Sequence, residues 1–433
     1  MAREERHGLV PSGWRRSVQA GCVTCLLQAV NAAWALLEIC TRFRPVARPP
    51  ERLLVLRTAA LGDFVLSIPA LRRLRAAYPS AHITLLTTAT TDRATFHTVA
   101  SYARTGMPWL DLLPRGLVDE VIIFPYSGYG GLLTRQSRRL LHGKSFDISF
   151  ILNEGIGLTL SGIAKKICFL RLIGVYCRIH GIRTRAYPKL FPKVQQGERR
   201  LEHHVLAIIR SVEECRVVAN SPAIPVAFQL DVAVEAESWV EAKLSELDCQ
   251  SDDLIIVAPG SRLEFKRWPS DGFVQVIVAL LEKPGVWVIL VGSGPEGDTV
   301  EWVDANCRAA LGVTSRLYNL AGQTSLMQLA ALLSRASVFL GNDGGTCHLA
   351  AAMGCRVVSI SNGAEIPDSV EPWGNQRFTA RFDVPCAYCY CFTHCPKNDN
   401  RCVTGITSTH VLKLIEAALD ECNPERAPST KSN

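Results

Sequence analysis

The sequence predicts an α/β protein built from two doubly wound, Rossmann-like domains that face each other. Three observations carry this. Short apolar runs alternate with helix-like segments from Arg52 onward. The alternation pauses around 226–250 and restarts. Glycine-rich turns stand where strands give way to helices, as in parallel sheets covered on both faces.

Residues 1–50 stand apart. Arg3, Arg6, Arg15 and Arg16 precede an uncharged stretch from Ser17 to Leu37, and Arg42, Arg44, Arg48 and Pro49-Pro50 follow. Gly21, Thr24, Gln28, Asn31 and Glu38 form one weakly polar stripe at helical spacing. An amphipathic helix lying on a membrane is expected. A single-pass anchor and a helix packed on its own protein are the alternatives. The apolar stretch is too long for a cleaved signal peptide.

In the first domain, 51–225, strands are expected at Arg52–Leu56, His82–Leu86, Val121–Phe124, Asp147–Ile151 and Leu172–Val175, with a helix through Pro69–Tyr78. The basic segment 178–200 reads as a solvated loop or a contact for an acidic acceptor. A linker with a connecting helix follows at 226–250. The second domain, 251–422, has expected strands at Leu254–Ala258, Val286–Val291, Leu317–Leu320, Ser337–Leu340 and Arg356–Ile360, and a tail at 423–433 is expected to be disordered.

Composition narrows the function. The 433 residues carry 47 Lys+Arg against 40 Asp+Glu, a formal charge of +7. Residues 1–57 hold nine arginines against four glutamates, so most of the excess lies where an anionic membrane would be met. This mild excess fits an anionic substrate or membrane surface and not a dedicated nucleic-acid binder. The 16 cysteines divide into eleven scattered thiols and a local group, Cys386, Cys389, Cys391, Cys395 and Cys402.

Four motifs carry chemistry. Gly62-Asp63 follows the first strand and places a carboxylate at a helix N-terminus, where an N-cap is the plainer reading. Pro259-Gly260-Ser261-Arg262-Leu263-Glu264-Phe265-Lys266-Arg267-Trp268-Pro269 leaves a strand end with open backbone amides and then cations, which suits a phosphate. Gly292-Ser293-Gly294-Pro295-Glu296-Gly297 matches G-x-G-x-x-G, but no acidic residue ends the next strand, so a dinucleotide site is not expected. Glu296 remains placed to accept hydrogen bonds from ribose. Gly341-Asn342-Asp343-Gly344-Gly345-Thr346-Cys347-His348-Leu349-Ala350-Ala351-Ala352-Met353-Gly354 exposes amides where a small-residue helix begins, as a diphosphate site requires.

Together, Gly62-Asp63, the loop ending Lys266-Arg267-Trp268-Pro269, and Asp343-Gly344-Gly345 with His348-Leu349-Ala350-Ala351 resemble glycosyltransferase family 9, the heptosyltransferases of lipopolysaccharide core assembly. The resemblance covers about residues 51–420 and implies a GT-B fold. It implies an inverting transfer of a heptose from an ADP-activated donor to a lipid-linked or core-oligosaccharide acceptor, with no required cofactor. It places the protein in the cytoplasm, peripheral on the inner face of the bacterial inner membrane. Asp63 resembles the family's general base, Lys266 the cation on the donor phosphates, and Glu296 the carboxylate on the ribose. Gly62, Ser261, Asp343, Gly344, Gly345 and His348 complete the expected donor site. The chain departs from the family in Arg57-Thr58-Ala59-Ala60-Leu61 before Gly62, in Gly344 where threonine is common, and in the added N-terminal helix.

The chain contains no Asp-x-Asp, against a metal-bound GT-A enzyme. Cys386, Cys389, Cys395 and Cys402 have the character of a structural zinc site or a disulfide staple, with a loop of unliganded thiols as the alternative. The alternative functions are a nucleotide-sugar epimerase of GT-B-like fold and a non-catalytic, membrane-associated nucleotide-sugar-binding protein.

Overall fold

The computed structural model describes residues 49–57, 60–88, 108–124, 141, 143–152, 166–171, 173–181, 202–249, 253–293, 296–312, 316–391 and 394–422. The N-terminal helix expected within 1–48, most of the basic segment 178–200 and the tail 423–433 lie outside them.

The first sheet holds β1 (Arg52–Arg57), β2 (His82–Thr88), β3 (Glu120–Phe124), β4 (Ile148–Ile151) and β5 (Arg178–His180) in the order β3-β2-β1-β4-β5, with every pairing parallel. The second holds β6 (Asp253–Ala258), β7 (Val286–Leu290), β8 (Leu317–Asn319), β9 (Val338–Asn342), β10 (Arg356–Ile360) and β11 (Thr379–Ala380) in the order β11-β10-β9-β6-β7-β8, also all parallel. Each sheet reverses its winding beside its first strand, between β1 and β4 and between β6 and β9. The crevice at the carboxyl ends of those strands is where such folds bind ligands. Leu53, Leu54, Val55, Ile255, Ile256 and Val257 have no exposure, because helices cover both faces.

Three elements differ from expectation. The first helix, α1 (Leu61–Ala77), begins eight residues before Pro69, which sits buried inside it. Proline reads in sequence as a helix start, but here Gly62-Asp63 opens the helix and apolar packing overrides the local preference. The fifth strand is Arg178–His180, not Leu172–Val175. Gly174 has φ +97° and donates its N–H to the Arg171 carbonyl, while the Val175 N–H reaches the Leu170 carbonyl at 2.8 Å, so the chain turns there. Val175 is only 2% exposed, so its apolar neighbourhood imitates a strand. Strand β11 carried too little pattern, two residues long, to be read beforehand.

Further helices are α2 (His204–Glu213), α3 (Arg216–Asn220), α4 (Val234–Glu246), α5 (Ser270–Leu281), α6 (Gly297–Leu311), α7 (Leu326–Ser334), α8 (Gly345–Ala352), α9 (Arg401–Thr404) and α10 (Ser408–Cys422). Helix α1 packs against both α2 and α8, and one continuous apolar core joins the two sheets through Leu71, Val205, Leu349, Ala350 and Phe339.

A candidate donor cleft between two helix N-termini

Strand β6 ends at Ala258, paired with Gly341 of β9. The Pro259–Pro269 loop and the Asp343–Gly345 turn therefore leave the sheet side by side at the switch point. A cleft of about 630 Å³ opens there, and its walls include Ser261, Lys266, Glu296, Asp343, Gly344 and Gly345. From the first sheet come Ala60, Leu61, Gly62 and Trp109.

The chain ends β9 and starts α8 within three residues. Gly344 is fully extended (φ −178°) and its turn aims the first amides of α8 into the cleft. Directly across stands the N-terminus of α1. A Cβ on Gly62 would fall 2.8 Å from His348 Cδ2 and 3.1 Å from Gly345 Cα, and one on Gly345 would fall 3.0 Å from the Gly62 nitrogen. The two glycines let two helix N-termini approach to backbone contact. Both partial positive ends then face one space, which favours a polyanion.

Lys266 Nζ donates to Asp343 Oδ2 at 2.7 Å, with each side chain 17% exposed. Burial opposes the charge on Lys266, but the Asp343 carboxylate outweighs it and holds the ammonium above its ordinary pKa. Burial likewise pushes Asp343 up, and Lys266, with His348 and Arg381, brings it below the usual carboxylate range. The pair is charged at neutral pH. His348 is 7% exposed, and burial drives its pKa down to about 4 against the pull of Asp343. It is a neutral imidazole packed on α1.

Glu296 Oε2 accepts from the Ser293 backbone N–H at 2.9 Å and from the Ser293 hydroxyl at 2.7 Å. Its side chain lies on Gly260, where a Cβ would come within 2.7 Å. Gly294 and Pro295 of the same turn lie outside the described residues.

Asp63 occupies the first turn of α1. Its Oδ2 accepts from the Ala60 N–H at 3.4 Å. Its carbonyl oxygen accepts from Arg57 at 2.8 Å and from the Ser67 hydroxyl at 2.7 Å. Arg57 also reaches the Leu152 carbonyl at 3.2 Å, so a buried guanidinium ties the Asp63 turn to the end of β4. Gly62 lines the cleft, and the Asp63 side chain folds back over the helix start one residue behind that wall.

The four thiols Cys386, Cys389, Cys395 and Cys402 line one small cavity of about 20 Å³ beside Gly363. Among the described residues, no group of three or more His, Cys, Asp or Glu side chains is arranged to hold a metal ion, and each of these thiols is free.

In the sequence, Asn342 stands inside the Gly341–Gly354 run with no role of its own, and Trp109 is not singled out. Asn342 ends β9 and makes three side-chain hydrogen bonds within the loop system. Trp109 reaches the cleft from the first domain, packed on Phe64 with ring centroids 4.4 Å apart. The asparagine at a strand end was a visible signal, since such residues close turns. Trp109 carried none.

Residues 175–395 match glycosyltransferase family 9 (heptosyltransferase). Lipopolysaccharide heptosyltransferase 3 of Escherichia coli K12 is 35% identical over 127 residues, which spans 29% of this chain and 36% of that protein. Lipooligosaccharide heptosyltransferase 2 of Haemophilus ducreyi is 25% identical over 319 residues, 70% of this chain and 80% of that one. The solved ADP-heptose lipopolysaccharide heptosyltransferase II of E. coli superposes with a TM-score of 0.55 at 21% identity, over 86% of this chain and 99% of that chain, and so shares the fold. With two parallel sheets facing across one cleft and a family match over half its length, this chain belongs to glycosyltransferase family 9.

Proposed function

We propose that the protein transfers a heptose from ADP-heptose to a lipopolysaccharide-core acceptor with inversion at the anomeric carbon. The observation that carries this is the convergence of Lys266 and the N-terminus of α8 on a cleft whose opposite wall is the N-terminus of α1, with Asp63 in its first turn. The names of the relatives supply the sugar and acceptor class.

The residues divide the chemistry in a simple way. An acceptor hydroxyl attacks the anomeric carbon from the face opposite the phosphate. Asp63 takes its proton as the bond forms, and ADP leaves with the electron pair of the broken C–O bond. The charge developing on the diphosphate is met by Lys266, by the amides of Gly344 and Gly345 and by two helix dipoles. Lys266 is held ready by Asp343 and turns its ammonium toward the incoming phosphate. Glu296, oriented by Ser293, is set to accept from ribose hydroxyls. No metal is assigned to the transfer.

In this reading the enzyme works in the cytoplasm at the inner membrane, with residues 1–50 as its membrane-facing segment. Among the described residues, no helix is long and apolar enough to cross a membrane. The thiols gathered at the small cavity are free and, among the described residues, not grouped for a metal, so a cross-link of the Cys386–Cys402 loop, by disulfide or zinc, would require them to move together. Metal analysis and thiol counting before and after reductant test this: no metal and an unchanged thiol count would end that reading.

The functional test is incubation with ADP-heptose and heptose-deficient core acceptor, following ADP release and acceptor mass. Transfer with inverted configuration is expected. Sugar isomerised without an acceptor, or nucleotide bound with no turnover on any acceptor, would overturn the assignment.

A further inference from the structure

The Pro259–Pro269 loop and the Asp343–Gly345 turn are far apart in sequence, and one buried amide joins them. Asn342 is 6% exposed at the end of β9. Its Oδ1 accepts the backbone N–H of Trp268 at 2.9 Å. Its Nδ2 donates to the carbonyls of Pro259 at 2.8 Å and Gly260 at 3.0 Å. The orientation of the amide follows from its partners, because an N–H needs an acceptor and two carbonyls need donors. Asn342 thus grips both ends of the loop that presents Ser261 and Lys266. The next residue is Asp343, which holds the Lys266 ammonium.

We propose that Asn342 is a positioning residue for the donor site, setting the Lys266 loop at the height where its ammonium and the α8 amides meet the same diphosphate. This rests on the donor reading above. The amide suits the task because it offers one acceptor and two donors in a rigid plane, and aspartate of the same shape does not. In Asn342→Asp the Trp268 N–H keeps its acceptor, but a carboxylate oxygen now faces two carbonyl oxygens. That buried mismatch should lift the Pro259–Gly260 end of the loop. Protonating the new carboxyl restores one donated bond.

The test measures ADP affinity by calorimetry, and donor KM and kcat by ADP release, for the parent and Asn342→Asp between pH 8 and pH 5. At pH 8, ADP affinity is expected to fall about tenfold and donor KM to rise by a similar factor, with kcat changed much less. The variant-to-parent affinity ratio should recover as pH falls. Asn342→Ala, which cannot be rescued by protons, should show no such recovery. Circular dichroism and melting of both variants identify any that is unfolded. For those that fold, unchanged ADP affinity, a loss confined to kcat, or a loss in Asn342→Asp that does not recover in acid overturns the proposal. A parent that binds ADP yet transfers no heptose refutes the functional reading alone, and the calorimetric arms still decide the role of Asn342.

Discussion

Replacing Gly62 by alanine tests the close approach of the helices α1 and α8. The new Cβ would stand 2.8 Å from His348 Cδ2 and 3.1 Å from Gly345 Cα. Neither neighbour can yield freely, since His348 is buried and Gly345 is backbone at the start of α8. Overpacking of this kind costs about 1–3 kcal/mol, offset by up to ~1 kcal/mol for removing a glycine from a helix. The relief available is for α1 and α8 to separate by a few tenths of an ångström or more. That moves Asp63 away from the donor loop, and a misplacement approaching 1 Å can lower turnover about 10²-fold. A melting temperature reduced by a few degrees is expected, with a much larger fall in kcat and near-normal ADP affinity, because Lys266 and the α8 amides stay together on one domain. Turnover and melting equal to the parent would refute the idea that this contact sets the spacing of the two walls.

Asp63→Asn should lower kcat by about 10²- to 10⁴-fold while donor affinity holds, because only the proton acceptor is removed; loss of ADP binding in a folded variant would place Asp63 in the donor site instead. Lys266→Met should weaken ADP binding about 10- to 100-fold and raise the Asp343 pKa, whose cationic partner is gone; calorimetry against pH reads both. His348 should make the fold acid-sensitive. Its folded pKa, about 4, is depressed below the ordinary imidazole value, so the unfolded chain takes up a proton that the native state refuses as pH falls from about 6.5 toward 4, and stability drops over that window by on the order of 3 kcal/mol. Urea midpoints at pH 7 and pH 5 should differ less for His348→Gln than for the parent; an equal difference would remove His348 from the account. Trp268→Phe should lose the Nε1 hydrogen bond to the Ile406 carbonyl, now 2.9 Å, and cost about 1–3 kcal/mol in chemical denaturation without altering kcat.

The legibility of the chain followed the length and regularity of its patterns. Strands such as Leu53–Leu56 and Ile255–Val257 were plain because continuous apolar runs between glycine turns have few other uses. Leu172–Val175 misled because a buried turn after a helix needs the same apolar residues as a strand. The Lys266 and Asp343–Gly345 motifs read as phosphate-type turns because open amides and cations at strand ends have a local chemical meaning, and the structure brings both to one cleft.

Local residues alone determined that this is a two-sheet α/β chain with glycine-rich turns at the ends of particular strands. That information is carried by spacing and residue type within a few positions. Tertiary structure decided which turns share a cleft. Gly62 and Gly345 lie 283 positions apart, and only the shared strand order of the two sheets, closed over a common core, brings them into backbone contact. The pairing of Lys266 with Asp343, the neutral state of His348 and the grip of Asn342 on Pro259, Gly260 and Trp268 likewise depend on distance and burial. Those quantities belong to the folded chain, and no periodicity along a sequence encodes them.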